Sequence, residues 1–132
     1  MPSVLIIDDE AAVRESIKLI LGKIGFGVTT AVDGRSGIKK FFDSPTDLVI
    51  VDMVMPRSDG LTVIKELRAA SAATRILAIS GGGNFASQGY KPGTVMTDAY
   101  LELANKWGAD AVLSKPFHRQ DLMNVLRGLI FH

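Results

Sequence analysis

The sequence contains no cysteine. Disulfide bonds and thiolate metal sites are therefore excluded, and a cytoplasmic location is the simplest expectation. No apolar run approaches the roughly 20 residues that a membrane helix needs. No basic segment followed by a long apolar stretch marks a secretory signal near the first residue. We therefore expect a protein without membrane contact.

The chain also lacks a charge excess of either sign. Its formal net charge is +1, so no strong field draws the protein onto nucleic acid, and we expect no direct nucleic-acid contact. The 132 residues are 47% hydrophobic, which suits one domain with a proper core. We predict a single domain over residues 1–132, with no output domain in this chain.

Strand patterns alternate five times with helical patterns along the chain. The strand patterns, mostly continuous apolar runs, cover residues 4–8, 27–32, 48–52, 75–80 and 109–114. Apolar residues at helical spacing cover residues 11–24, a short segment ending near 42, residues 61–70, a segment beginning near 97, and residues 121–130. The alternation predicts an α/β fold, with a doubly wound five-stranded parallel sheet flanked by five helices.

Polar residues follow most of these strands at the point where each strand ends. Ligands of doubly wound sheets bind at that edge, the carboxyl ends of the strands. The residues expected there are Asp8 and Asp9 after the first strand, Asp52 at the third, Ser80 at the fourth and Lys115 after the fifth. A lysine and a hydroxyl beside acids are complementary to a phosphoryl group held with a metal ion.

Three carboxylates meeting at one edge repel one another unless a cation is present. Oxygen ligands suit a hard ion, so we expect Mg²⁺, with Asp8 and Asp9 as its paired acids. Asp52 stands alone in mid-sheet, which favours it as a nucleophile that forms an aspartyl phosphate. Asp9 could instead be a helix N-cap, and Glu10 is expected to be a solvated residue of the first helical turn.

Four segments carry a resemblance that spans nearly the whole chain: "VLIIDDE", "LVIVDMVMPRSDG", "ILAIS" and "GADAVLSKPF". In these segments the sequence closely resembles the receiver domain of bacterial two-component response regulators. The resemblance implies a flavodoxin-like receiver topology. It also implies a signalling protein that promotes only its own phosphorylation and dephosphorylation, rather than an enzyme.

The resemblance implies a role for each acid of the site. Asp8 and Asp9 would bind Mg²⁺, together with Asp52 and the backbone carbonyl of Val54. Asp52 would accept a phosphoryl group from a phosphohistidine. The implied donor is a sensor histidine kinase or a histidine phosphotransfer protein.

The resemblance also implies how the phosphoryl group is read. Ser80 would be the switch hydroxyl and Lys115 the phosphate contact, with a cis peptide bond before Pro116. The domain would then act on an unknown downstream protein target, and a homodimer is possible. The partner-facing surface is expected to include the first helix near Arg14.

Three features depart from the family pattern. Val112 replaces the aromatic residue usual three positions before the lysine. The stretch between Ser80 and Lys115 is about a dozen residues longer than is usual, with the extra length in residues 81–96, and we expect it to remodel the surface beside Ser80. Val54 and Gly82 cannot orient water through their side chains, which predicts a long-lived phosphoryl group.

Three other functions stay open at this point. A Mg²⁺-dependent phosphohydrolase would use Asp52 as nucleophile, but Val54 stands where its second acid is expected. A flavin or nucleotide binder would use "SGGGN" as a phosphate cradle, and a pseudo-receiver would switch without phosphate. His118 and His132 are expected to be exposed and not catalytic.

Overall fold

A computed structural model of the chain describes residues 2–55, 58–80 and 106–130. Five strands form one parallel sheet in the order β2-β1-β3-β4-β5. Their bounds are β1 Ser3–Ile7, β2 Gly27–Ala31, β3 Leu48–Asp52, β4 Arg75–Ser80 and β5 Ala111–Ser114. The predicted doubly wound five-stranded sheet is confirmed.

Burial explains why most strands have continuous apolar sequences. β1, β3, β4 and β5 are buried along nearly their whole lengths, whereas the edge strand β2 alternates between exposed and half-buried residues as far as Ala31. A strand covered on both faces needs apolar side chains in both directions. Because β3 is the central strand, its last residue, Asp52, lies in the middle of the sheet edge.

Four helices are described: α1 Ala11–Lys23, α2 Gly34–Asp43, α3 Gly60–Ala70 and α4 Arg119–Leu129. Two of them are preceded by an aspartate whose carboxylate caps the first turn. Asp33 accepts from the backbone N–H of Ser36, and Asp59 accepts from the backbone N–H of Leu61. Four of the five predicted helices are seen, because most of the remaining one falls in residues that the structure does not describe.

Two helix predictions need comment. α4 begins at Arg119 rather than at Asp121, because Oδ2 of Asp121 accepts from the backbone N–H of His118 at 2.9 Å and so lies within the first turn. The helix predicted from near residue 97 lies outside the described residues, apart from residues 106–107, which are helical. Among the described helices, none has the length and apolar character to cross a membrane.

Each face of the sheet carries its own apolar cluster. The first core cluster joins the sheet to α2 and α3 through residues such as Phe41 and Ile64. The second core cluster joins the opposite face to α1 and α4 through residues such as Ile17 and Leu122. Helices on both faces leave the carboxyl ends of the strands as the edge where a site can form.

Candidate functional site

The carboxyl ends of β1 and β3 bring two buried carboxylates side by side. Ile7 pairs with Val51 in the parallel register, so Asp8 and Asp52 follow at neighbouring positions. Both aspartates are only 1% exposed. The backbone N–H of Asp8 donates to the carbonyl of Ala31 at 3.2 Å, which extends the pairing of β1 with β2 by one residue.

Lys115 places its ammonium group between these carboxylates. Its Nζ atom lies 2.8 Å from Oε1 of Glu10. The same atom lies 3.2 Å from Oδ2 of Asp8 and 3.3 Å from Oδ2 of Asp52. The backbone N–H of Lys115 donates to the carbonyl of Ser80 at 3.0 Å, which fixes the lysine at the end of β5.

The surroundings of Lys115 raise the pKa of its ammonium group. Burial lowers this pKa, because a charged group loses water. The hydrogen bond that Lys115 donates to Glu10 and the charges of Asp52 and Asp8 outweigh the effect of burial. Lys115 therefore stays cationic at neutral pH and offers a permanent positive charge to an anion.

Three carboxylates form the acidic part of the site. Oxygen atoms of Asp8, Glu10 and Asp52 all lie within 4.8 Å of one another. Oδ1 of Asp8 accepts from the backbone N–H of Glu10 at 2.9 Å. Oδ2 of Asp8 has no hydrogen-bonded partner among the described residues, although the Lys115 ammonium lies 3.2 Å away. Three carboxylates around one ammonium leave negative charge that is not compensated, so this oxygen-rich set fits a hard divalent cation.

Glu10 contacts the site, although the sequence pattern predicts only a solvated residue. Its side chain is 58% exposed, yet its carboxylate is the nearest of the three to Lys115. The backbone N–H of Glu10 donates to Oδ1 of Asp8, a local bond of the kind that aspartates often form at turns. That local turn is the signal that could have indicated Glu10.

Asp9 lies apart from the other acids. It is exposed, and it is not one of the three clustered carboxylates. The alternative role of Asp9 as the N-cap of the first helix is wrong, because Glu10 is the N-cap of α1. Glu10 makes no side-chain capping bond there, so its carboxylate is available to Lys115.

Ser80 reaches the same edge from β4. Asp52 pairs with Ile79 in the register of β3 and β4, so fully buried Ser80 follows next to Asp52. The peptide bond between Lys115 and Pro116 is cis, as the resemblance implies. The sequence-predicted residues Asp8, Asp52, Ser80 and Lys115 therefore meet at one edge.

The remaining predicted features divide between described and undescribed residues. Val112 is buried and packs in the first core cluster. His118 is exposed, as predicted. Residues 81–96, which include Gly82, and His132 lie outside the described residues, as does the side chain of Val54.

Gly60 supports the strand end that carries Asp52. A Cβ atom at Gly60 would lie 2.5 Å from Cα of Met53 and 2.9 Å from the carbonyl oxygen of Asp52. The backbone N–H of Gly60 also donates to the carbonyl of Met53 at 3.3 Å. The first turn of α3 therefore packs directly against the backbone at Asp52, and only glycine permits this approach.

A groove of about 520 Å³ opens next to the acidic cluster. Glu10 and Val13 of the α1 region line one side, and Lys115 and Phe117 line the other. Close to this groove, Nη1 of Arg14 donates to the carbonyl of Asp8 at 2.8 Å. A partner lying in the groove would be adjacent to the clustered carboxylates.

Comparison with known proteins identifies relatives of this chain. A family model described as the response regulator receiver domain matches residues 4–127. The chain is 32% identical to the response regulator MprA of Mycolicibacterium vanbaalenii over 127 residues, which are 96% of this chain and 49% of that protein. The chain thus spans about half the length of the curated relatives that it matches.

Solved structures share the fold. A response regulator receiver domain protein from Clostridium thermocellum superposes with a TM-score of 0.79 at 29% identity, over 98% of this chain and 94% of that chain. The response regulator TrrA from Thermotoga maritima, solved in complex with Mg²⁺ and BeF, gives a TM-score of 0.77 at 29% identity, over 98% of this chain and 100% of that chain. The resemblance stated from the sequence motifs is confirmed.

Proposed function

This chain belongs to the response regulator receiver domain family, and from this premise we propose that Asp52 is the residue that accepts a phosphoryl group. Receiver domains of response regulators act in phosphorylation-dependent signalling. One observation carries the assignment to Asp52: its carboxylate is buried at the central strand end, with the Lys115 ammonium 3.3 Å away. A nucleophilic carboxylate beside a fixed cation suits phosphoryl transfer.

In the proposed reaction, a carboxylate oxygen of Asp52 attacks the phosphorus atom of a phosphohistidine. The phosphorus–nitrogen bond breaks, its electron pair stays on the imidazole, and an acyl phosphate remains on Asp52. The added charge is about −1.5 to −2 by analogy with other phosphorylated side chains. Lys115 offers its ammonium to that charge, and Ser80 offers a hydroxyl hydrogen bond.

We assign a Mg²⁺ site to the acids of this edge. Asp8 and Asp52 would hold the ion, with Asp9 and the Val54 carbonyl as the further ligands that the resemblance implies. Bound Mg²⁺ would neutralise charge on the phosphoryl oxygens. The three clustered carboxylates that share the single Lys115 ammonium support the assignment, as does the TrrA structure with Mg²⁺ and BeF. Glu10 lies close enough to be a further acidic neighbour.

We propose that the phosphoryl donor is a sensor histidine kinase or a histidine phosphotransfer protein that lies in the groove between α1 and Phe117. The chain would promote only its own phosphorylation and dephosphorylation, and its phosphorylated form would contact a protein target or a second copy.

For this domain we propose no direct nucleic-acid contact, in line with its net charge of +1. The lack of cysteine favours the cytoplasm.

Intact mass after incubation with acetyl phosphate and Mg²⁺ tests the assignment. The wild type should gain one phosphoryl group, and chelation of Mg²⁺ should prevent the gain. Asp52→Asn should not gain the group, because an amide is a poor nucleophile. Asp43→Asn is the matched control, since Asp43 is exposed at the end of α2. A full mass gain in Asp52→Asn would refute the assignment.

Transfer from phosphohistidine is a separate test of the donor. A phosphorylated histidine phosphotransfer domain should lose its label to the wild type but not to Asp52→Asn. Substitution of Ala12 by tryptophan should slow this transfer while acetyl phosphate still reacts, because an uncharged bulky side chain at this exposed position fills the groove without changing the clustered carboxylates. Equal slowing with both donors would place the effect at the site instead of the groove.

A further inference from the structure

Two buried serines end neighbouring strands. Ser80 ends β4, Ser114 ends β5, and the two residues are direct partners in the parallel register. Ser80 is 0% exposed and Ser114 is 3% exposed. The Oγ atoms of both serines lack a hydrogen-bond partner among the described residues. Two orphan hydroxyls at adjacent buried positions carry a cost that a functional role would explain.

Both hydroxyls lie on the same face of the sheet. Ala78 and Val112, which are register partners two positions earlier, both pack in the first core cluster. Ile79 and Leu113, which directly precede the two serines, both pack in the second core cluster. Because strand side chains alternate with a period of two, Ser80 and Ser114 return to the face of the first cluster.

The backbone joins these two positions closely. Neighbouring strands lie about 4.8 Å apart, so rotation of two short serine side chains can bring their oxygens within hydrogen-bond distance. The carbonyl of Ser80 also accepts from the backbone N–H of Lys115, the residue after Ser114. A shift of Ser80 is therefore transmitted directly to the end of β5. Ser114 has the only hydroxyl in β5, whose sequence is AVLS.

We propose that Ser114 is a positioning residue for Ser80 in the phosphorylated state. A hydroxyl has one proton to donate and can accept from others. When Ser80 donates its proton to a phosphoryl oxygen on Asp52, its Oγ can accept from the hydroxyl of Ser114. The two bonds form a chain in which each polarises the next, which stabilises the state with Ser80 turned toward the phosphoryl group. This inference rests on the proposed role of Asp52.

A double-mutant cycle tests the proposal with beryllium fluoride as a phosphoryl mimic. Its affinity in saturating Mg²⁺ is measured by calorimetry for the wild type, Ser114→Ala, Ser80→Ala and the double variant. We expect Ser114→Ala to weaken binding about 3- to 10-fold, the size expected of one neutral hydrogen bond. In the Ser80→Ala background the same change should have no effect, because no acceptor hydroxyl remains.

Three further measurements separate positioning from a structural role. Ser114→Ala should leave the affinity for Mg²⁺ alone unchanged and should not lower the free energy of unfolding, because without the phosphoryl group the buried hydroxyl makes no bond that alanine would lose. Ser114→Thr keeps the hydroxyl and should bind the mimic within about twofold of the wild type. An equal loss in both backgrounds, or no loss at all, would overturn the role of Ser114 while leaving that of Asp52 intact. If the wild type itself does not bind the mimic, both assignments fail.

Discussion

At the scale of single residues, Lys115 and a metal ion compete for the same oxygens. Oδ2 of Asp8 and Oδ2 of Asp52 both lie within 3.3 Å of the Lys115 ammonium, and Glu10 draws that ammonium toward itself at 2.8 Å. Removing the charge of Glu10 would leave Lys115 more firmly on the two aspartates. It would also lower the negative charge that attracts a cation.

Both effects of Glu10→Gln act in the same direction, so we expect weaker Mg²⁺ binding. The dissociation constant should rise about 2- to 5-fold, since an exposed ion pair contributes up to about 1 kcal/mol. Calorimetric titration with Mg²⁺ at fixed ionic strength measures this. Glu66→Gln makes the same charge change at an exposed position of α3 and should leave the constant unaltered. Unchanged or tighter binding in Glu10→Gln would show that Glu10 does not hold Lys115 away from the metal-binding acids.

The residues of the site differ in how well the sequence predicts their position. Strand ends alone bring four of them together, because each is the last residue of a strand of the parallel sheet or the residue after it, and the structure agrees: Asp8, Asp52, Ser80 and Lys115. Glu10 does not follow from that rule. Its contact depends on one turn and on the direction of a flexible side chain, which apolar periodicity does not encode.

At the scale of elements, the approach of α3 to β3 depends on a glycine. Gly60→Ala would place a methyl group 2.5 Å from Cα of Met53, and backbone cannot move aside as a side-chain tip can. We expect a loss of about 1–3 kcal/mol in the free energy of unfolding. Phosphorylation by acetyl phosphate should also slow, because Asp52 lies on the displaced backbone.

Gly22→Ala is the matched control for this substitution. Gly22 lies in α1, and an added methyl carbon there would have no atom of another element within 4 Å, so alanine meets open space. Alanine should raise the free energy of unfolding by about 0.5–1 kcal/mol, because it favours the helix more than glycine does. Urea denaturation measures both variants. A neutral Gly60→Ala would mean that the α3 contact does not position Asp52.

Elements could be predicted from periodicity better than the contacts between them. The strands β3 and β4 have the bounds that the pattern predicts. By contrast, Arg68 of α3 donates to the carbonyls of Gly108 and Thr74 and to the carboxylate of Asp110. These contacts tie α3 to the segment before β5 across about 40 positions, counted from residue 68 to residue 108. These contacts arise from the fold, and no local sequence pattern predicts them.

At the scale of the whole molecule, the acidic edge lowers the stability of the metal-free domain, and function requires that edge. Three clustered carboxylates face one ammonium group, so the metal-free domain keeps uncompensated negative charge at a largely buried edge. Strain of this kind is common at functional sites. A ligand that binds only the native state reverses it, by an amount set by its concentration relative to its dissociation constant.

We therefore expect Mg²⁺ to raise the midpoint of thermal unfolding of the whole chain. At a concentration about 100 times the dissociation constant, the gain should be about 2.7 kcal/mol, or roughly 10 °C for a domain of this size. Asp52→Asn should raise the midpoint without Mg²⁺, because it removes one of the repelling charges, and should shrink the shift that Mg²⁺ causes. Asp43→Asn, at an exposed position, should change neither value. Scanning calorimetry with and without Mg²⁺ measures all three proteins. If Asp52→Asn lowers the metal-free midpoint instead, the Asp52 carboxylate stabilises the resting fold through Lys115 more than it strains it.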